Sequence, residues 1–417
     1  MSPGQEPSVR PAGVVLAHPS GNQFFRHLAR TLRDAGRLVS LRTCIDWRFT
    51  GAGRWLPRGV AAELERRDFS RSLSLPVAAH PWREAARLVA GRLGLGPLTR
   101  HEKGILSVDA VYRDFDRWVA ASMAAAPGAG IAYAYEDAAE ATFAEAGRLG
   151  WMRAYDLPIL FTDAGRRLLA EEALRHPEWE PTLLATRDSA RKIERKRGEM
   201  EMADVVICPS KTVADSIPPG KRVVIAPFGS PEAGPPPAPR PAGGPLRVLF
   251  AGSMSQRKGL ADLFDAVRIL RRSDIELVVL GSPVADAGFY RRVGGSFTYE
   301  PPRPHAGMLA FMRTCDVLCL PSIVEGRALV VQEAMSQGLP VVVTEGTGAA
   351  DLVTDGGSGF IVPMRNPDAL AEKLAWCADH RAALPGMGLG AQAAAARWTW
   401  ASYGAKVLAA LDPNPLP

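Results

Sequence analysis

The sequence predicts an α/β protein made of two successive Rossmann-like, doubly wound domains. Short apolar runs alternate with stretches of helical periodicity, the pattern of parallel strands joined by crossover helices. That pattern stops at residues 231–245, PEAGPPPAPRPAGGP, and then restarts, which marks an extended Pro/Gly-rich linker. At 417 residues the chain also exceeds one ordinary hydrophobic core. The expected division is 1–230, linker 231–245, and 246–396, with a final helix beyond.

Bulk properties narrow the class. Hydrophobic and charged contents of 47% and 23% are those of a soluble globular protein. The opening MSPGQEPSVRPAG has no apolar core, so neither a signal peptide nor a membrane span is expected. Five scattered cysteines read as reduced core thiols and point to the cytoplasm; Cys315 and Cys319 lack a third ligand nearby, so no metal site is expected. The net charge of +6 is modest, and no motif for nucleic acid is present. Basic residues do cluster at Arg83–Arg92 and Arg187–Arg197. Each cluster is either a solvated helix face or an attraction to an anionic partner such as the inner face of a membrane.

In the first half, Val14–Ala17 reads as a strand and Phe24, Leu28 and Leu32 as one face of the helix that follows. The turn between them holds Gly21 and Asn22 and is either a ligand loop at a helix N-terminus or a plain tight turn. Leu38–Thr43 is a strand, and 82–93 and 108–123 are helical. Gly130–Tyr135 is a strand ending at Glu136 and Asp137, acids at the carboxyl edge where such sheets take their substrates. Asp137 is equally placed to cap the next helix, 138–147. Strand 151–155, helix 187–202, strand 204–208 and strand 221–226 complete this half.

The second half opens with strand 246–251 and a loop holding Gly252, Ser253, Arg257 and Lys258. Helix 260–270, strand 275–280 ending at Gly281, a strand at 297–299, helix 306–313 and strand 317–320 follow. A helix opening near Leu329, strand 340–344, helix 367–378 and a terminal helix from Arg397 close the chain. Two carboxylates, Glu325 and Glu333, bracket the loop and first turns of the helix at 329.

A sugar carried on a nucleoside diphosphate requires what this half offers. Glu333, ionised at neutral pH, can accept from both ribose hydroxyls. Gly326, Arg327, Ala328 and Leu329 stand at a helix N-terminus, where free N–H groups and the dipole favour phosphate. Arg257 and Lys258 can neutralise charge on a departing phosphate, and Glu325 can face the sugar hydroxyls. Taken singly, each of these has an ordinary surface reading; their order on one βαβ frame is what argues for a site.

The text Pro321, Ser322, Glu325, Glu333, Ala334, Met335, Gly338, Leu339, Pro340, Val341, Val342, with Asp355, Gly356, Gly359 and Phe360 and the Lys258–Gly259 pair, resembles the donor domain of retaining glycosyltransferases of GT-B architecture, most closely family four. The resemblance spans about 246–370; the first half is similar in architecture only. It implies sugar transfer with retention, no metal and no cofactor, from a UDP- or GDP-sugar donor. It also implies that Glu333 binds the ribose, Lys258 the pyrophosphate, and Glu325 the sugar or its reacting face. A glycan, a lipid-linked molecule or a small molecule would enter from the N-terminal domain as acceptor, and residues 397–417 would cross back onto that domain. Base contacts would fall near Gly281 and Pro301–Arg303, through backbone. Three places depart from the family text. Ser253 stands where an Arg is common, with Arg257 as its stand-in. AYED stands where the first half often carries a His, leaving Glu136 or Asp137 to supply a catalytic group. GRA replaces Gly–aromatic–Gly. Rival readings are a sugar-nucleotide epimerase or a phosphorylase, and a non-catalytic sugar-nucleotide-binding protein.

Overall fold

The computed structural model describes residues 12–47, 67–70, 74, 77–237 and 243–412. The expected absence of a leader at 1–11, the centre of the linker at 238–242 and the end of the terminal helix at 413–417 lie outside these residues. No described helix is long and apolar enough to cross a membrane.

Among the described residues, thirteen strands form two sheets. The first contains β1 (Gly13–Ala17), β2 (Leu38–Thr43), β3 (Val77–Ala79), β4 (Ala129–Tyr135), β5 (Met152–Asp156), β6 (Val205–Cys208) and β7 (Val223–Ile225), ordered β3-β2-β1-β4-β5-β6-β7. The second contains β8 (Leu246–Ala251), β9 (Ile275–Leu280), β10 (Thr298–Glu300), β11 (Val317–Leu320), β12 (Val341–Thr344) and β13 (Gly359–Val362), ordered β10-β9-β8-β11-β12-β13. Every pairing is parallel. Strand order therefore reverses between β1 and β4 in one sheet and between β8 and β11 in the other. At such reversals crossover helices leave to opposite faces and open a crevice at the carboxyl ends.

The strands read as apolar runs because helices cover both faces; β1, β6, β11 and β12 are buried throughout. All five cysteines are buried and unpaired. Helix Gln23–Asp34 starts at Asn22, whose side chain accepts from Phe25 N at 3.0 Å, and buries Phe24, Phe25, Leu28, Ala29 and Leu32. Helix Trp400–Ala410 lies across it, with Trp400 stacked on His27 at 4.1 Å and Arg37 paired with Asp412 at 2.8 Å. The two passages between domains touch: Ser230 N donates to Trp398 O at 2.8 Å, and a Cβ on Gly229 would stand 2.3 Å from Trp400 N.

Two segments differ from expectation. Residues 384–396, an Ala/Gly-rich stretch without clear periodicity, form a helix that packs on helix Leu329–Ser336. Residues 157–187, for which the sequence suggested no element beyond an exit loop, contain helix Thr162–Arg175 and 3-10 turns at Pro177–Thr182 and Leu184–Arg187. This segment leaves the first sheet after β5 and plants Trp179 in the core of the second domain, among Phe264, Phe289 and Tyr290.

Candidate active site

The carboxyl ends of β4 and β8 and the loop after β11 meet at a cavity of ≈ 490 Å³. Tyr135, Glu136 and Phe24 form its wall from the first domain. Gly252, Arg257, Lys258, Glu325 and residues 326–330 form the wall opposite.

Lys258 Nζ donates to Glu325 Oε1 at 2.5 Å, and Arg257 Nη1 reaches the same oxygen at 3.0 Å. One carboxylate oxygen thus gathers two cations at the cavity wall. Burial alone would raise the Glu325 pKa, but Arg257 and Lys258 outweigh it and hold the carboxyl below its usual range. Burial lowers the Lys258 pKa more than Glu325 restores it. Gly252 makes room for the lysine: at φ +143 a Cβ there would stand 2.7 Å from Lys258 Cε. Ser253 belongs to the same loop and does not line the cavity.

Ala328 and Leu329 open helix Leu329–Ser336 at the cavity, and Ala328 supplies no side-chain cap. The first N–H groups of that helix are what a phosphate would meet. Gly326 sits where the two domains are in contact: a Cβ there would lie 1.6 Å from Pro158 O, while Ser210 Oγ of the first domain donates to Gly326 O at 2.6 Å. Glu333 lies one turn into the helix, outside the cavity wall, with its Oε1 2.9 Å from His305 Nε2. Glu333 raises the His305 pKa against a smaller effect of burial. Gly281 carries backbone contacts only: its N–H donates to Glu300 O at 3.1 Å and its O accepts from Tyr299 at 3.2 Å.

Besides Ser253, Gly281 and Glu333, which lie off the cavity wall, four expected site residues are engaged elsewhere. The Arg327 guanidinium is buried, donates to Asp351 at 2.8 Å and to Gln332 at 3.0 Å, and lies over Trp398. Its charge is spent inside the C-terminal domain, and only the residue's place in the loop reaches the cavity. The Asp137 carboxylate turns away from the cleft to Arg195 at 2.7 Å and Lys192 at 3.3 Å. Gly21 lies under the Phe69 ring, and Asn22 caps its helix and contacts His18 Nε2 at 3.1 Å; neither lines the cavity. The turn is a tight turn in this respect.

Glu136 does line it, 3.3 Å from Lys196 Nζ. Burial raises the Glu136 pKa, with Lys196 pulling against it. Behind it the Asp156 carboxyl is pushed up to about 8 by burial and by the Glu136 charge. The helix that supplies these cations, Ala190–Met202, corrects the reading of its basic cluster. Lys192, Arg195 and Lys196 point inward to Asp109, Glu136, Asp137 and Asp188, leaving Arg191 and Arg197 outside. The cluster is neither a solvated face nor a free cationic surface.

Gln256 was not anticipated, and His18 was expected only as the start of the stretch His18–Asn22 across the cleft. His18, at the end of β1, accepts from Gly21 N at 2.8 Å and Ser20 N at 3.1 Å through Nδ1, and its ring lies tilted against that of Tyr135, centroids 4.1 Å apart. Complete burial lowers its pKa to about 3, so it is neutral. Gln256, next to Arg257, is fully buried; its Nε2 donates to Glu172 at 2.7 Å and Asp262 at 2.8 Å, and its N–H donates to Thr182 at 3.2 Å. Its adjacency to Arg257 and Lys258 was the only signal in the sequence.

Two facing Rossmann-like domains with the cavity at both strand-order reversals define the GT-B class. Residues 245–380 match the family described as Glycosyl transferases group 1. The match covers the second domain and leaves the first outside it. The D-inositol 3-phosphate glycosyltransferase of Paenarthrobacter aurescens is 31% identical over 144 residues, which are 31% of this chain and 34% of that protein. The chain spans about a third to two fifths of the length of the curated relatives it matches. Among solved structures, sucrose-phosphate synthase from Thermosynechococcus elongatus superposes with a TM-score of 0.66 at 16% identity, over 95% of this chain and 97% of that one. Anabaena HepE in complex with UDP and glucose gives 0.59 at 17% identity, over 95% and 98%. At such identities the likeness is one of fold.

Proposed function

We propose that the chain transfers a sugar from a nucleotide-diphosphate sugar to an acceptor hydroxyl, with retention of configuration and without a metal ion. The observation that carries the reading is the convergence of Arg257, Lys258 and Glu325 with the uncapped start of helix Leu329–Ser336 on one interdomain cavity. The family match of residues 245–380 supports the reaction class, and the UDP and glucose held by HepE support a UDP-linked donor, GDP being the alternative.

In this reading Arg257, Lys258 and the helix N–H groups hold the diphosphate, Glu333 the ribose, and Glu325 the sugar hydroxyls. The bond from the anomeric carbon to the phosphate oxygen breaks, and a bond to the acceptor oxygen forms. The acceptor's proton leaves with the diphosphate. The two cations favour the state in which negative charge has gathered on that leaving group, worth about tenfold in rate per 1.4 kcal/mol of preference. Glu136 faces the acceptor, a glycan, lipid-linked molecule or small molecule, from the N-terminal domain.

A thermal-shift panel of uridine, guanosine, adenosine and thymidine diphosphates tests donor recognition, since a ligand at a hundred times its Kd adds about 2.7 kcal/mol of stability. No shift with any of them removes the reading. Glu325→Ala and Lys258→Ala should abolish product formation; product at the unaltered rate would discard an enzymatic role for the site. Conversion of the donor to an epimerised nucleotide sugar without acceptor would mark an epimerase instead.

A further inference from the structure

The other basic cluster, which begins at Arg83, leads into a surface that faces outward. Helix Trp82–Arg92 follows β3, and because the sheet is parallel it begins on the same carboxyl edge that faces the cleft. From Gly91 to Leu98, GRLGLGPL, every residue is exposed. Seven of the thirteen large apolar side chains exposed among the described residues fall between Trp82 and Val108, so the concentration is local. Trp82 is 78% exposed, and Leu93 and Ile105 are each 67% exposed, values at which a side chain has almost no protein neighbour to pack on.

The charge of the same stretch has one sign. Residues 82–108 hold five Arg and Lys and two Glu, five minus two giving +3. Both carboxylates are engaged within the protein: Glu84 is buried against Arg67 and Arg87, and Glu102 accepts from Ser189 N at 2.9 Å. Arg92, Arg100 and Lys103 are exposed and have no carboxylate partner among the described residues. The stretch is held in shape: Leu106 N donates to Leu98 O at 2.9 Å, and His80 and Arg83 reach Asp114 at 3.0 and 3.4 Å. Its apolar side chains are therefore displayed by a built surface.

We propose that residues 82–105 are a membrane-docking surface for an anionic bilayer. Trp82, Leu93, Leu95, Leu98 and Ile105 enter the boundary between headgroups and acyl chains, and Arg92, Arg100 and Lys103 meet lipid phosphates. Charge complementarity selects this occupant. A second copy docking by the same face would set +3 against +3 across a dehydrated contact, whereas an anionic leaflet offers opposite charge beside an apolar interior. Docking here presents the carboxyl edge of the first sheet, and with it the cleft, to the bilayer surface. The proposal stands independently of the transfer chemistry.

The test is flotation of the full chain with vesicles of phosphatidylcholine alone or mixed with phosphatidylglycerol, beside sedimentation velocity without lipid. The wild type should float with the mixed vesicles only, and less so as salt rises. Arg92→Gln, Arg100→Gln and Lys103→Gln together should weaken partition about a hundredfold, at roughly fivefold per cation. Leu93→Ser should weaken it about tenfold while the melting temperature holds, because that side chain is already largely in water. Arg191→Gln with Arg197→Gln, on the other basic helix, should float like the wild type. Absence of flotation, or flotation that survives both the cation and the leucine variants, overturns the proposal. So does a dimer that the leucine variant dissolves, which would assign the face to self-association.

Discussion

Trp179 of the N-terminal domain stands edge-on to Phe289 of the C-terminal domain, ring centroids 5.0 Å apart and planes 82° apart. Trp179 is buried with the second core although its chain neighbours belong to the first fold. Trp179→Ala should cost about 3–5 kcal/mol, the range for emptying a large aromatic site. Since that ring fastens one domain to the other, calorimetry should resolve one unfolding transition in the wild type and two in the variant.

Gln256 ties the segment that carries Trp179 to the loop of Arg257 and Lys258, through Glu172 and Thr182. Gln256→Leu leaves Glu172 and Asp262 short of a buried donor and should cost about 1–3 kcal/mol of stability, read by urea unfolding. Nucleoside-diphosphate affinity should fall with it, because Arg257 and Lys258 follow directly on the released residue. Gln256→Glu should be worse than Gln256→Leu, since it adds a third carboxylate to the pair.

Gly326→Ala places a methyl group on the carbonyl of Pro158, where no rotamer can relieve the contact. The domains should sit farther apart, raising the radius of gyration in X-ray scattering. Sugar transfer should drop about a hundredfold, the scale for misplacing reacting groups by about an ångström. Nucleotide affinity, which draws on one domain, should change less.

His18 gives the molecule a pH dependence of known sign. Its pKa is about 3 folded and 6.5 unfolded. Between those values only the unfolded chain takes up the proton, so its contribution to stability is complete above 6.5 and is lost as pH falls toward 3. Relative to His18→Gln, the wild type should lose about 1.4 kcal/mol per pH unit across that window. Urea titrations of both proteins at several pH values measure the difference.

The donor half was legible because its signals are local. A buried strand, a loop and a helix start within a short stretch suffice to set Glu325 beside a phosphate-binding turn, and the Pro321–Val342 text carries them all. What could not be read depends on partners distant in the chain. Arg327 looks like a phosphate ligand until Asp351 and Trp398 claim it, and Asp137 looks catalytic until the inward face of helix Ala190–Met202 does. The segment at 177–182, PEWEPT, has no periodicity to announce that its tryptophan belongs to another core. The Ala/Gly composition of 384–396 hid a helix because small residues give no amphipathic contrast.

The passages at Gly229 and Trp400 lie against one another, so the chain leaves the first domain and returns to it through a single neck. Everything between them behaves as an insertion into the first domain, and the last helix remains that domain's own. A donor domain could therefore be transplanted between relatives as one cassette, spliced at Ser230 and Trp398, provided the incoming piece keeps a seat for Trp179. Recombination at the Pro/Gly linker alone would strand the final helix on the wrong parent.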